Sequence, residues 1–334
     1  MKKAVFICDK PNKFREVFTA DMIKRIGKLT ELDTALYSRA DVLACPERFA
    51  ETEYIFSTWG MPVFSTNEIR NCFPSLKCLF YAAGTVQKFA RPFLECECHV
   101  FSAWAANAVP VAEYTVSQIL LANKGFFTHA YLMNRRQVAE SKRLNAVYPG
   151  NYNVKIGLIG CGMIGSLVAE MLGQYKTEVM VFDPFLPPEK AAKLGVTVAS
   201  LDQIFSCCSV VSNHLANNAQ TQAMLNYSHF SALPPYATFI NTGRGAQVVE
   251  SDLVRALTER PDLTALLDVT YPEPAELSHP FYDLPNCFLT PHIAGSLGNE
   301  VHRMAEYMYD EFVNFTSGMP CCWEVTEKML ETMA

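Results

Sequence analysis

No long block of lysine and arginine interrupts this 334-residue chain, and its net charge is −6. That balance argues against nucleic acid or an anionic membrane as the main partner, since both call for a basic patch. No apolar run is long enough to span a bilayer. The basic start, Met1-Lys-Lys, leads into an apolar run of only a handful of residues with no cleavage-site pattern, so it reads as a first strand and not a signal peptide. Internal repeats and low-complexity segments are absent. Charge is sparse at 19% while half the chain is apolar, enough to bury sizeable cores in a length that suits two domains. The expected ligand is therefore small.

No Cys-x-x-Cys occurs among the twelve cysteines, and Cys96-x-Cys98, Cys207-Cys208 and Cys321-Cys322 lack the paired spacing of zinc sites. Scattered cysteines within apolar runs are expected to be reduced thiols of a cytoplasmic protein. No metal site is expected.

Short apolar runs alternate with amphipathic segments over the first hundred residues. Strands are expected at Ala4–Cys8, Leu32–Tyr37, Tyr54–Thr58 and Cys78–Ala82, with a helix from Lys13 to Ile26, giving a small parallel α/β unit. A long helix follows from Pro110 to Phe127, with Asn107 as its cap and a broad apolar face for burial between domains or subunits. After a polar stretch from Asn134 to Asn153, six further strands are expected at Lys155–Ile159, Glu178–Phe182, Ser209–Asn213, Thr238–Asn241, Thr264–Leu267 and Cys287–Thr290. Near-continuous apolar strands separated by helices indicate a doubly wound parallel sheet. A last helix, Asn299 to Thr316, is expected to pack back on the first domain and make it discontinuous.

Gly160-Cys-Gly162-Met-Ile-Gly165 follows one of these strands and opens a helix. Gly160 allows a tight turn, Gly162 lets backbone approach a pyrophosphate, and Gly165 permits close helix–strand packing, with Met163 and Ile164 at the helix start. An anion is then favoured at the helix N-terminus. Asp183 ends the next strand, 18 residues beyond Gly165, where an acid accepts from an adenosine ribose. It would also repel a 2′-phosphate, so NAD is expected over NADP.

Asn241-Thr-Gly-Arg-Gly-Ala, Leu267-Asp-Val-Thr-Tyr-Pro-Glu-Pro and Leu289-Thr-Pro-His-Ile-Ala-Gly then set Arg244, Glu273 and His292 just past the carboxyl ends of successive expected strands. Open α/β sheets hold their ligands there. An arginine can grip a carboxylate with two parallel hydrogen bonds, a histidine can move a proton near neutral pH, and a buried glutamate can hold that histidine's ring. Such a set suits reduction of a 2-keto acid. Glu273 also lies in an exposed-looking turn, with Glu250 and Glu276 read as solvated charges; Trp59 and Trp104 are taken as core or cleft wall, and His279, like four other histidines, takes no role.

These segments resemble, in order and spacing and over nearly the full length, the D-isomer-specific 2-hydroxyacid dehydrogenases, of the phosphoglycerate dehydrogenase and hydroxypyruvate reductase kind. The resemblance implies a Rossmann-type NAD domain, residues 106–294, inserted in a smaller flavodoxin-like substrate-binding domain made of residues 1–105 and 295–334. It further implies a homodimer with the active site in a cleft. By the same resemblance, Arg244 binds the substrate carboxylate and polarises the carbonyl, His292 is the general acid/base and Glu273 pairs with it. Asp268 stands near the nicotinamide, Thr242 and Gly243 line the same end of the cofactor, and His214, Arg244 and His292 are counted with them. Ala83, Gly84 and Thr85 correspond to the loop whose amides receive the substrate carboxylate. Two departures stand out: Val86 where an aspartate is common, which bears on specificity, and His214-Leu-Ala in place of His-x-Pro. The chain stops after the closing helix, so a regulatory domain and serine feedback are not expected. Formate dehydrogenases share the fold but carry glutamine at the position of Glu273. An NADH-sensing interaction protein of the corepressor kind is the alternative reading of the same fold.

Overall fold

Alternation of apolar runs and helices builds two parallel sheets in the computed structural model, which describes residues 3–331. Met1 and Lys2 of the basic start and residues 332–334 of the tail lie outside the described residues. Backbone contacts divide the chain into two units, one formed by residues up to Asn107 together with those from Ser296, the other by Ala108–Gly295.

The first unit begins with strands β1 (Lys3–Ile7), β2 (Glu31–Tyr37), β3 (Thr52–Ser57), β4 (Cys78–Tyr81) and β5 (His99–Ser102), of which β5 is not among the expected strands. The helix expected from Lys13 to Ile26 is in fact two, Pro11–Val17 and Ala20–Gly27. Thr19 breaks it. Its backbone is extended (ψ 160°) and its hydroxyl accepts from Met22 N at 3.2 Å, a cap that competes with helix continuation.

The helix after β5 runs from Trp104 to Ala122, so Asn107 lies inside it and is not its cap. Asn107 Oδ1 instead accepts from Ser296 N at 3.1 Å, joining the two points where the first unit is interrupted. Gly125, at φ +64°, starts a separate helix, Phe126–Asn134, so the expected helix end at Phe127 falls in the next element. The expected polar stretch carries a further short helix, Val138–Arg143.

Strands β6 (Val154–Ile159), β7 (Thr177–Phe182), β8 (Thr197–Val198), β9 (Val210–Asn213), β10 (Thr238–Asn241), β11 (Thr264–Leu267) and β12 (Cys287–Leu289) make the second unit's sheet, in the order β12-β11-β10-β9-β6-β7-β8. All neighbours are parallel. The sheet thus has seven strands where six were expected, because the two residues of β8 are too short to leave a hydrophobic pattern. Strand order reverses at β6, which lies between β7 and β9, and such a switch point opens a crevice beyond the strand ends.

The closing helix Val301–Ser317 and β13 (Glu324–Val325) belong to the first unit, with sheet order β13-β5-β4-β3-β1-β2. The five strands of the first hundred residues are mutually parallel, as expected, and β13 adds an antiparallel edge beside β5. The helix is fastened by rings: fully buried Phe312 meets Tyr54, Phe56 and Phe80 edge-on at 5.2, 5.2 and 5.5 Å. All three tryptophans, Trp59, Trp104 and Trp323, lie in this unit, so intrinsic tryptophan fluorescence reports it alone. Phe312→Ala is expected to lower its stability by about 3–5 kcal/mol. Urea unfolding followed by tryptophan fluorescence checks this; a loss below about 1 kcal/mol would mean that the closing helix is not part of that core.

Candidate active site

At the end of β6, Gly160 N donates to Phe182 O at 2.8 Å and its φ of +92° turns the chain sharply. A side chain at Gly160 would meet His214 O at 2.7 Å, and one at Gly165 would meet Gly160 O at 2.1 Å, so both glycines are required by close approach. Gly162 opens on empty space instead. The helix Met163–Leu172 starts directly after it, with Ile164 in its first turn. Asp183 reaches this turn because β7 lies beside β6: its carboxylate accepts from Cys161 N at 2.7 Å and from Phe185 N at 2.8 Å. A carboxylate has about four lone-pair sites, so it keeps capacity for hydroxyl donors. Lys190, which carries no sequence signal, donates from Nζ to Cys161 O at 3.1 Å. An open glycine at a helix N-terminus, with an acid beside it, fits a dinucleotide.

β10 ends in Asn241, whose side chain shapes the turn that follows. Its Oδ1 accepts from Asn213 Nδ2 (3.0 Å) and Gly243 N (3.1 Å), and its Nδ2 donates to Arg244 O (3.2 Å). Thr242 is buried, with its hydroxyl 3.3 Å from that of Thr115. A side chain at Gly245 would lie 2.1 Å from the backbone of Thr270, so the turn packs tightly against the strand end beside it. Half-buried Arg244 donates from Nη1 to Gly243 O at 2.7 Å, which leaves the Nε and Nη2 edge of the guanidinium for a planar two-point contact.

Asp268, 2% exposed, is the anchor of the segment that follows β12. Its Oδ1 accepts from Thr290 Oγ1 (2.5 Å) and Ile293 N (2.9 Å), its Oδ2 from Ala294 N (2.9 Å), and its carbonyl from His292 N (3.0 Å). Tyr114 OH lies 3.1 Å from the same threonine hydroxyl. His292 is held at φ +54°, an uncommon conformation for a non-glycine residue. Its Nδ1 contacts Glu273 Oε1, which leaves Nε2 as the outward ring nitrogen.

Glu273 is not buried: the side chains of Glu273 and His292 are 38% and 45% exposed. Their pairing therefore orients the ring, and its net attraction in this partly solvated setting is modest. Glu250, expected to be a solvated charge, is instead half-buried and supports this turn, accepting from Tyr271 N at 2.8 Å with His279 Nε2 at 3.4 Å. Burial pushes its carboxyl above the usual range. Neither contact has a sequence signal, because both partners lie far apart in the chain.

His214 follows β9. Its Nε2 lies 3.0 Å from Ser212 Oγ, its Nδ1 is sealed from solvent, and burial pushes its imidazole down to about 4. The ring is neutral at physiological pH.

In the first unit, Ser102 Oγ lies 2.9 Å from Ala83 O and 2.6 Å from Gly84 O. A trans peptide points its N–H opposite its C=O, so this serine turns the amides of Gly84 and Thr85 to the other side of the loop. Ala83 N donates to Tyr81 O at 2.9 Å within the same turn. Gly84 faces open space, whereas Val86 is fully buried in this unit's core. The apolar residue at position 86 thus answers to packing. Arg244, Asp268, Glu273, His292 and the Gly160 turn share the second unit, while Ala83, Gly84 and Thr85 lie in the first. All twelve cysteines are free, and no metal-ligating cluster or membrane-length apolar helix occurs among the described residues.

Residues 116–294 match the model of the D-isomer specific 2-hydroxyacid dehydrogenase, NAD binding domain. The chain is 28% identical over 224 residues to D-3-phosphoglycerate dehydrogenase of Bacillus subtilis, covering 66% of this chain and 41% of that protein. It therefore spans well under two thirds of the length of such relatives. Among solved structures, a phosphoglycerate oxidoreductase from Rhizobium etli aligns over 99% of this chain and 100% of its own with a TM-score of 0.80 at 19% identity. The D-mandelate dehydrogenase of Rhodotorula graminis aligns over 98% of both chains, also with a TM-score of 0.80, at 18% identity. These two likenesses concern the fold.

Asp268→Asn keeps the shape but presents an amide group to donors that now meet a carboxylate. The variant is expected to lose about 2–4 kcal/mol of stability and to exchange the Ile293 and Ala294 amide hydrogens faster; unchanged exchange would contradict the anchoring. For His214, the unfolded state binds a proton below about pH 6.5 while the folded ring resists it down to about 4. Stability should therefore fall as pH drops through that window. Comparing urea midpoints at about pH 7 and about pH 4.5, the fall should be smaller in His214→Gln, and an equal fall in both proteins would refute a neutral buried ring.

Proposed function

The chain belongs to the D-isomer specific 2-hydroxyacid dehydrogenases, and we propose that it interconverts a 2-keto acid and its D-2-hydroxy acid with NAD(H). The observation that carries this reading is one sheet bearing, at its strand ends, the Gly160–Gly165 turn with Asp183, the Arg244 turn and the His292–Glu273 pair. NADH, when bound, supplies the hydride. Arg244 grips the substrate carboxylate through its open guanidinium edge and stabilises negative charge developing on the carbonyl oxygen. His292 delivers a proton from Nε2 to that oxygen, its ring oriented by Glu273 at Nδ1. Residues 1–105 and 295–334 serve as the substrate-binding domain, whose Gly84 and Thr85 amides are donors suited to a carboxylate, and residues 106–294 serve as the cofactor domain.

Asp183 sets the preference for NAD, and Met163, Ile164, His214, Thr242 and Gly243 complete the cofactor contacts. The complete Arg, Glu and His set favours an enzyme over an NADH sensor. The proposed assembly is a homodimer: Phe126, Met133 and Val138, on or beside the helix Phe126–Asn134, expose about half of their apolar surface. Free cysteines suit a cytoplasmic setting. Hydroxypyruvate, glyoxylate, phosphohydroxypyruvate and larger keto acids form the substrate panel.

At least one member of that panel should be reduced at the expense of NADH, and more slowly with NADPH. His292→Ala should lower kcat/KM for it by about a hundredfold to ten-thousandfold while NADH binding, followed by fluorescence, is retained. Arg244→Lys should also be severely impaired, because an ammonium cannot reproduce a planar two-point grip. Near-normal turnover in either variant would remove that residue from the mechanism.

A further inference from the structure

Gln247 is fully buried, in the short turn Gly245–Gln247 that follows Arg244. A primary amide offers two donors and two acceptor lone pairs, and here all four are used. Oε1 accepts from Asn213 Nδ2 at 2.6 Å and from Arg244 N at 3.1 Å, while Nε2 donates to Leu215 O at 2.8 Å and Ala216 O at 3.0 Å. The amide also packs under Gly243, where a side chain would come within 2.7 Å of Oε1.

Two pieces of backbone are tied by this one side chain. One is the turn that carries Arg244. The other is the segment after β9, which begins at His214, whose carbonyl backs the Gly160 turn closely enough to exclude a side chain there. A buried amide with every capacity met is rigid, since any rotation leaves several buried polar groups unpaired at once. We propose that Gln247 is a positioning residue that fixes the Arg244 guanidinium for carboxylate recognition by holding its backbone to the His214–Ala216 segment. This inference rests on the 2-keto acid reading of the site and adds a residue that touches neither substrate nor cofactor.

A residue that acts through Arg244 loses its effect when the guanidinium is absent, whereas one that merely supports the fold does not. The test is a double-mutant cycle of Gln247→Met, close in size and without hydrogen bonds, against Arg244→Lys. It is read in kcat/KM for one good keto acid and in the dissociation constant of oxamate, a non-reducible 2-keto acid mimic, measured by calorimetry with NADH present. With Arg244 in place, Gln247→Met should lower kcat/KM and weaken oxamate about ten- to hundredfold, chiefly through KM; in the Arg244→Lys background the same change should cost less than about threefold. If Gln247→Met does not fold, Gln247→Glu, which keeps the volume and the acceptor oxygen but loses donation to Leu215 and Ala216, takes its place in the same cycle. Equal losses in both backgrounds overturn the proposal while leaving the activity standing. A folded parent protein that reduces no 2-keto acid and binds no oxamate overturns both.

Discussion

A buried carboxylate, Asp268, holds the segment from Thr290 to Ala294 in the shape that presents His292. Two backbone amides and a threonine hydroxyl converge on its oxygens, and its own carbonyl takes the amide of the histidine. Burying a charge is costly unless several donors repay the lost hydration, so the arrangement is all-or-none: with the donors in place the segment is fixed, and without any one of them the carboxylate is stranded. That constraint explains how a non-glycine residue is kept at φ +54°. A strained backbone of this kind persists only where its surroundings determine it.

The same logic recurs along the sheet. Asn241 shapes the Arg244 turn, Glu250 supports the turn bearing Glu273, and Ser102 orients the loop of Gly84 and Thr85 in the other unit. Arg244, Glu273 and the Gly84–Thr85 loop thus stand on polar residues more buried than they are. In the second unit, parallel strands deliver the Arg244 and Glu273 turns to one end of the sheet, and the switch at β6 sets the Gly160 turn among them.

The residues proposed to carry the chemistry stand out in the sequence because each sits in a short local pattern: the glycines at fixed spacing before Asp183, the arginine between two glycines, the histidine after a strand and a proline. The central strands were legible for a similar reason, since strands buried on both faces leave continuous apolar runs. Apart from β5, what escaped was non-local or too short. Glu250 and Tyr271 are brought together only by the fold, β8 and β13 have two residues each, and the break at Thr19 depends on a cap that outcompetes an otherwise helical pattern. The helix around Asn107 misleads because an asparagine before an apolar run looks like a cap, whereas its side chain serves Ser296, 189 positions away.

In the proposed reaction, Arg244 and His292 present one face of a 2-keto acid to hydride so that the D-alcohol forms. Its most direct test is the handedness of the product, obtained by letting the protein reduce an unbranched 2-keto acid with NADH to completion and separating the hydroxy acid on a chiral column. The D-enantiomer alone is expected. An L-product, a racemate, or no NADH consumption across the panel would contradict it.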